Sequence, residues 1–159
     1  MEIAGLPAHA LVIHAAVVLT PLAGLVAIVY AAVPRWRWAV RWPLLGLAVL
    51  TALSIFGAWL TGGSYLDANP SLEQIPAVST HAERADVMLW VGLVFAALAA
   101  ASAFVLGGPT GLASGRGARD VRSVAVDRGL AAVLAVAAVA AIVLVVLTGD
   151  AGARAVWGG

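Results

Sequence analysis

Gly129–Thr148 reads GLAAVLAVAAVAAIVLVVLT, a run without a charged side chain or a proline. An α-helix rises about 1.5 Å per residue, so a run of this length covers about 30 Å, the thickness of the hydrocarbon core of a bilayer. Working outward from it, Ala10–Val33, Pro43–Thr61 and Val87–Leu106 have the same character and contain no Asp, Glu, Lys or Arg. Hydrocarbon offers no water to a free backbone N–H or C=O, so each run is expected to be a helix. The sequence therefore predicts an all-α integral membrane protein, a four-helix bundle of up-down topology. It forms one domain over residues 1–159, with spans at 10–33, 43–61, 87–106 and 129–148.

Composition points the same way. Hydrophobic residues make up 63% of the chain and charged ones 11%, too much apolar material for a water-soluble core of this size. The four spans leave only short connections, with no room for a separate soluble enzyme domain. A net charge of +1 gives no basic surface for nucleic acid. The chain has no cysteine, which excludes a disulfide, a thiolate metal site and thiol chemistry. Nine arginines with no lysine, beside abundant Ala, Gly and Val, point to a GC-rich bacterial genome. Met1–Leu6 carries no positive charge ahead of the first apolar run, so that run is expected to be retained rather than cleaved as a signal peptide.

The arginines set the expected orientation, because short positively charged loops stay in the cytoplasm. Arg35, Arg37 and Arg41 fall in or beside the first connection, and Arg116, Arg119, Arg122 and Arg128 in the third; the other segments hold only Arg84 and Arg154. Both termini are thus expected outside the plasma membrane. Glu2, Asp67, Glu73, Glu83, Asp86 and Asp150 share that outer side. Tyr30, Trp36, Trp38 and Trp42 are expected at the inner interface, and Trp59, Trp90 and Trp157 near the outer one, where an amphipathic ring is satisfied at both ends.

Local signals predict the helix ends. Pro7 suits a first helical turn, and Gly62-Gly63 and Gly107-Gly108-Pro109 suit helix ends. Thr80-His81-Ala82-Glu83 has the form of a capping box, which starts the third helix near His81. Pro21 removes one backbone bond and bends the first helix. Ala96, Ala99, Ala100 and Ala103, with Ala131, Ala135, Ala138 and Ala141, give the small-residue spacing that lets helices approach closely. No solenoid period is present. The loop Gly107–Ser123 is expected to be mobile, its arginines meeting anionic lipid.

His9, His14 and His81 carry the chemical content of the chain. Five residues separate His9 from His14, which places them about 140° apart around a helix and argues against chelation of one ion by both. His14 is the deeper of the two, and an ionisable group inside a membrane is a functional candidate by default. One histidine of the first helix and His81 of the third are expected to converge on haem iron or a divalent metal, with His14 and His81 the favoured haem pair. His9 would replace His14 in a shallower Zn or Cu site, with Asp86 or Asp150 as further ligands and Asp67 and Glu83 on the same side. The outer ends of helices one, three and four are expected to gather a histidine of helix one, His81 and Asp150 in one pocket. No H-E-x-x-H, phosphate loop, nucleophile elbow or dinucleotide turn occurs, which leaves hydrolase and nucleotide-enzyme chemistry without support.

Leu6-Pro7-Ala8-His9-Ala10-Leu11-Val12-Ile13-His14, Thr20-Pro21-Leu22, His81 after the second span and Gly149-Asp150-Ala151-Gly152-Ala153-Arg154-Ala155-Val156-Trp157-Gly158 resemble a bacterial family of four-helix membrane proteins catalogued as a domain of unknown function. Its signatures are similar to Leu-Pro-x-His-x-Leu-x-x-His and Gly-His-x-Gly-Ala-x-x-Val-Trp. Asp150 stands here where the second signature has histidine, which removes a nitrogen ligand from that position. The resemblance implies the fold and a clustered-histidine site. Two functions follow as expectations: a haem- or metal-binding redox module, or a non-catalytic accessory subunit whose outer segment Gly62–Asp86 docks another membrane protein or a second copy. An ion-coupled transporter is disfavoured, since His14 is the sole ionisable group placed well within a span.

Overall fold

The computed structural model describes residues 2, 3 and 6–157. Met1, Ala4, Gly5 and Gly158, which enter the terminal readings above, lie outside the described residues. Glu2–Ile3 (β1) and Leu6–Pro7 (β2) form a minimal antiparallel ladder. Four helices follow: α1 (Ala8–Ala32), α2 (Arg37–Asp67), α3 (Pro76–Val105) and α4 (Val124–Trp157). Each is long and apolar enough to cross a membrane, and the architecture is that of an all-α, multi-pass membrane protein. Each of α1 and α3 packs on both α2 and α4, so α1 and α3 stand diagonally across an up-down bundle.

Most helices run past their apolar spans into the polar ends. Pro7 belongs to β2 rather than to a first helical turn, and α1 begins one residue later. Gly62-Gly63 does not stop α2, which continues for another turn to Asp67. The capping box at Thr80–Glu83 is overruled as well. The helix already starts at Pro76, whose missing N–H costs nothing at the first position, and Ile75 before it is extended. Thr80 and Glu83 therefore lie inside α3. Gly107-Gly108 does follow the end of α3, as expected. The connection after it is anchored rather than free: Gly108 and Arg119 exchange backbone hydrogen bonds, and the Arg119 guanidinium donates to the carbonyls of Ala103 and Phe104 at the end of α3.

The core lies on seams of seven-residue spacing, the pattern that keeps one helix face against its neighbours in a left-handed bundle. On α1 the seam is His9, Ala16, Ala23, Tyr30; on α3 it is His81, Met88, Phe95, Ser102. On α2 it is Arg37, Leu44, Thr51, Ala58; on α4 it is Asp127, Leu134, Ala141, Thr148. Ala23, Ala27, Ala99, Ala138 and Ala141 are wholly buried and bring the helices close. Gly24 and Gly92 extend this: a Cβ on Gly24 would fall 2.7 Å from Ile142 Cδ1, and one on Gly92 2.6 Å from Ile55 Cδ1. Val18, Leu25, Leu53, Val94 and Val136 point away from the bundle, the arrangement expected where lipid is the solvent.

These seams expose an internal repeat. The step in residue number that carries His9 onto His81 also carries Ala16 onto Met88, Ala23 onto Phe95, Ala27 onto Ala99 and Tyr30 onto Ser102, each pair buried. The step that carries Gly62 onto Gly152 carries Arg37 onto Asp127, Leu44 onto Leu134, Ala48 onto Ala138 and Ile55 onto Val145. The hairpins α1–α2 and α3–α4 are thus two copies of one arrangement about an approximate two-fold along the bundle. Near that axis the Tyr30 hydroxyl donates to Ser102 O at 3.1 Å, and Arg37 meets Asp127.

Candidate functional site

His9 lies in the first turn of α1 and is half-buried against α2. Its Nδ1 is 3.0 Å from Ala58 O and 3.3 Å from the Thr61 hydroxyl oxygen. His81 lies in the second turn of α3, half-buried against α4, with Nδ1 2.9 Å from Thr148 O. Ala58 and Thr148 are counterparts under the repeat, so both rings are held in the same way by the partner helix of their own hairpin. A carbonyl can only accept, so Nδ1 of each ring carries the proton and donates it. The Nε2 lone pair is left for a ligand.

Each ring also rests on a glycine. A Cβ on Gly62 would come 3.0 Å from Cε1 and 3.3 Å from Nδ1 of His9; on Gly152 it would come 3.0 Å from Cε1 and 3.1 Å from Nδ1 of His81. Gly62 follows Ala58, and Gly152 follows Thr148, by one helical turn, so carbonyl and glycine lie on one helix face. The two rings, from diagonal helices, meet in an edge arrangement with centroids 6.3 Å apart and planes at 75°.

Beside the pair is a cavity of about 920 Å³ into which all four helices contribute. Its walls are predominantly aliphatic, among them Ile13, Ile55, Met88 and Val145, with Gly62 and Gly152 beside the rings.

The sequence-predicted residues divide into three groups. His9 and His81 come together. His14 also lines the cavity but is exposed, and its Nδ1 donates back to Ala10 O in the preceding turn of α1. The structure thus places His9, rather than the expected His14, beside His81. His14 lies off the α1 seam, whereas His9 lies on it. Asp86, the counterpart of His14 under the repeat, lines the cavity and accepts from Trp59 Nε1 at 2.7 Å. Asp150 departs from expectation: it is exposed, pairs with Arg154 one turn on at 3.0 Å, and does not line the cavity. Among the described residues no three His, Asp or Glu side chains are grouped to hold a metal ion by themselves.

Sequence reasoning missed Ala58, Thr148, Gly62 and Gly152. Ala58 and Thr148 act through backbone carbonyls, which any residue supplies, while Gly62 read as a helix end and Gly152 only as part of the C-terminal signature. A heptad reading of α1 and α3 would have placed His9 and His81 on the inward seams. No protein-family model, curated protein or solved structure matches the chain.

Proposed function

We propose that the protein is a metal- or haem-binding redox module of the membrane, with His9 and His81 as its ligands. The observation that carries this is the paired geometry of the two rings. An imidazole nitrogen binds a metal at about 2.0–2.1 Å and lies about 1.1 Å from its ring centre, so two imidazoles on opposite sides of one ion have centres about 6.2–6.4 Å apart. The 6.3 Å between the His9 and His81 centroids falls in that interval. Donation of each Nδ1–H to a carbonyl fixes the tautomer and raises the basicity of Nε2, as is usual for metal-ligating histidines.

The histidine end is proposed to face outside and the arginine end the cytoplasm of a bacterium. The arginine asymmetry supports this, and Arg35, Arg116, Arg122 and Arg128 are exposed together at the end opposite the histidines.

Iron, copper and zinc per chain, measured on protein purified from membranes in mild detergent, test the assignment. One equivalent of metal, lost in His9→Ala and in His81→Ala, is expected. Absence of stoichiometric metal from the unmodified protein would overturn it and leave the accessory-subunit reading, with 62–86 as the docking segment.

A further inference from the structure

We infer that the metal is the iron of a single haem, held without covalent attachment between His9 and His81. The inference rests on the two-histidine ligand assignment and decides which metal group those ligands take.

Ligand number is the first argument. A bare zinc or copper ion takes three or four protein ligands, and none of the described carboxylates joins the two histidines in such a group. Asp86 is engaged by Trp59, and Asp150 by Arg154 outside the cavity. Haem iron asks the protein for two axial ligands only, because the macrocycle supplies the other four nitrogens. Two imidazoles from diagonal helices, their centroids 6.3 Å apart, match that demand in number.

The cavity is the second argument. A bare ion needs no adjoining space, whereas a largely aliphatic cavity of about 920 Å³, open to the outside of the bundle where Val17, Val146 and Trp157 are exposed, adjoins the pair, within the range of about 300–1,000 Å³ usual for ligand clefts. A flat macrocycle between diagonal helices must extend its edges toward the other two. There Gly62 of α2 and Gly152 of α4 line the cavity without side chains, each leaving room for the imidazole packed on it. The repeat gives the third argument: His9 with Ala58 and Gly62, and His81 with Thr148 and Gly152, present equivalent environments to the two faces of a planar group. Since the chain has no cysteine, no thioether bond can form and the haem is released by denaturation.

The experiment is visible absorption, pyridine haemochrome quantitation and acid–acetone extraction of full-length protein purified from haem-replete cells. Expected are a Soret band, one haem per chain, and complete transfer of colour to the organic phase. The band should be retained in His14→Ala and lost in His9→Ala and His81→Ala. Since an alanine variant can lose the band by misfolding, His81→Met gives a second reading: methionine also serves as an axial ligand, so haem is retained with shifted bands in the reduced spectrum. An unchanged spectrum in His81→Met, or a retained band in His81→Ala, would overturn the axial assignment. Stoichiometric copper or zinc without a Soret band would overturn the haem and leave the metal site standing. Co-purified lipid in the cavity, with neither haem nor metal, would overturn both.

Discussion

Arg37 and Asp127 occupy equivalent positions in the two hairpins and pair with each other, Arg37 Nη1 standing 2.9 Å from both carboxylate oxygens of Asp127. The remaining donors of this buried guanidinium close the end of α1 and the connection after α3: Nε donates to Tyr30 O at 3.0 Å, and Nη1 to Gly107 O at 2.7 Å. Asp127 in turn accepts from Gly107 N–H at 3.2 Å. A helix terminus leaves its last carbonyls without partners, and water is scarce in a packed bundle end, so one arginine satisfies groups that would otherwise be buried unpaired. The repeat places opposite charges at the same position, which ties hairpin to hairpin.

Removing one member of that pair should cost more than removing both. Arg37→Met leaves the Asp127 carboxylate without its cation and the carbonyls of Tyr30 and Gly107 without their donor, with an expected loss of about 3–5 kcal/mol. Arg37→Met with Asp127→Leu should recover part of it. Thermal unfolding in detergent checks this; a double variant no more stable than Arg37→Met would show that the pair itself contributes little.

The glycines beside the histidines should be sensitive and their neighbours tolerant. A Cβ on Gly62 or Gly152 meets an imidazole at 3.0 Å, whereas one on Gly63 or Gly149 meets nothing within 4 Å. Gly62→Ala and Gly152→Ala are expected to weaken metal binding by about tenfold or more through tilting of the ring. Gly63→Ala and Gly149→Ala should leave it unchanged. Equal titration curves for all four would refute the packing argument.

His14→Ala should leave metal content intact. The His14 ring spends Nδ1 on its own helix and does not pair with His81. A loss of metal comparable with that of His81→Ala, measured by elemental analysis, would return His14 to the ligand set.

Topology is checked by single cysteines, since the natural chain has none. Ser71→Cys in the turn between α2 and α3, and Ala118→Cys in the connection between α3 and α4, are both at exposed positions. An impermeant thiol reagent applied to intact cells should label Ser71→Cys and leave Ala118→Cys until the membrane is opened. The reverse pattern would invert the proposed orientation.

The sequence by itself determined the four spans and the gathering of arginines at one end. Both are properties of contiguous residues: an uncharged run either is or is not long enough for hydrocarbon, whatever packs beside it. Helix ends were less legible because their signals compete with tertiary contact. Gly62 reads as a terminator, yet α2 continues through it to place Gly62 and the Ala58 carbonyl against His9. The capping box at Thr80 yielded to Pro76 upstream. The choice between His9 and His14 lay beyond reading by depth alone, since it turns on which face of α1 is inward, and packing along Ala16, Ala23 and Tyr30 settles that rotation. The repeat escaped detection for a related reason. The first connection is short and the third is long, so α1 and α3 are separated by a different step from α2 and α4, and no single period aligns both hairpins. Their likeness lies in which positions are buried, and only the assembled bundle decides burial.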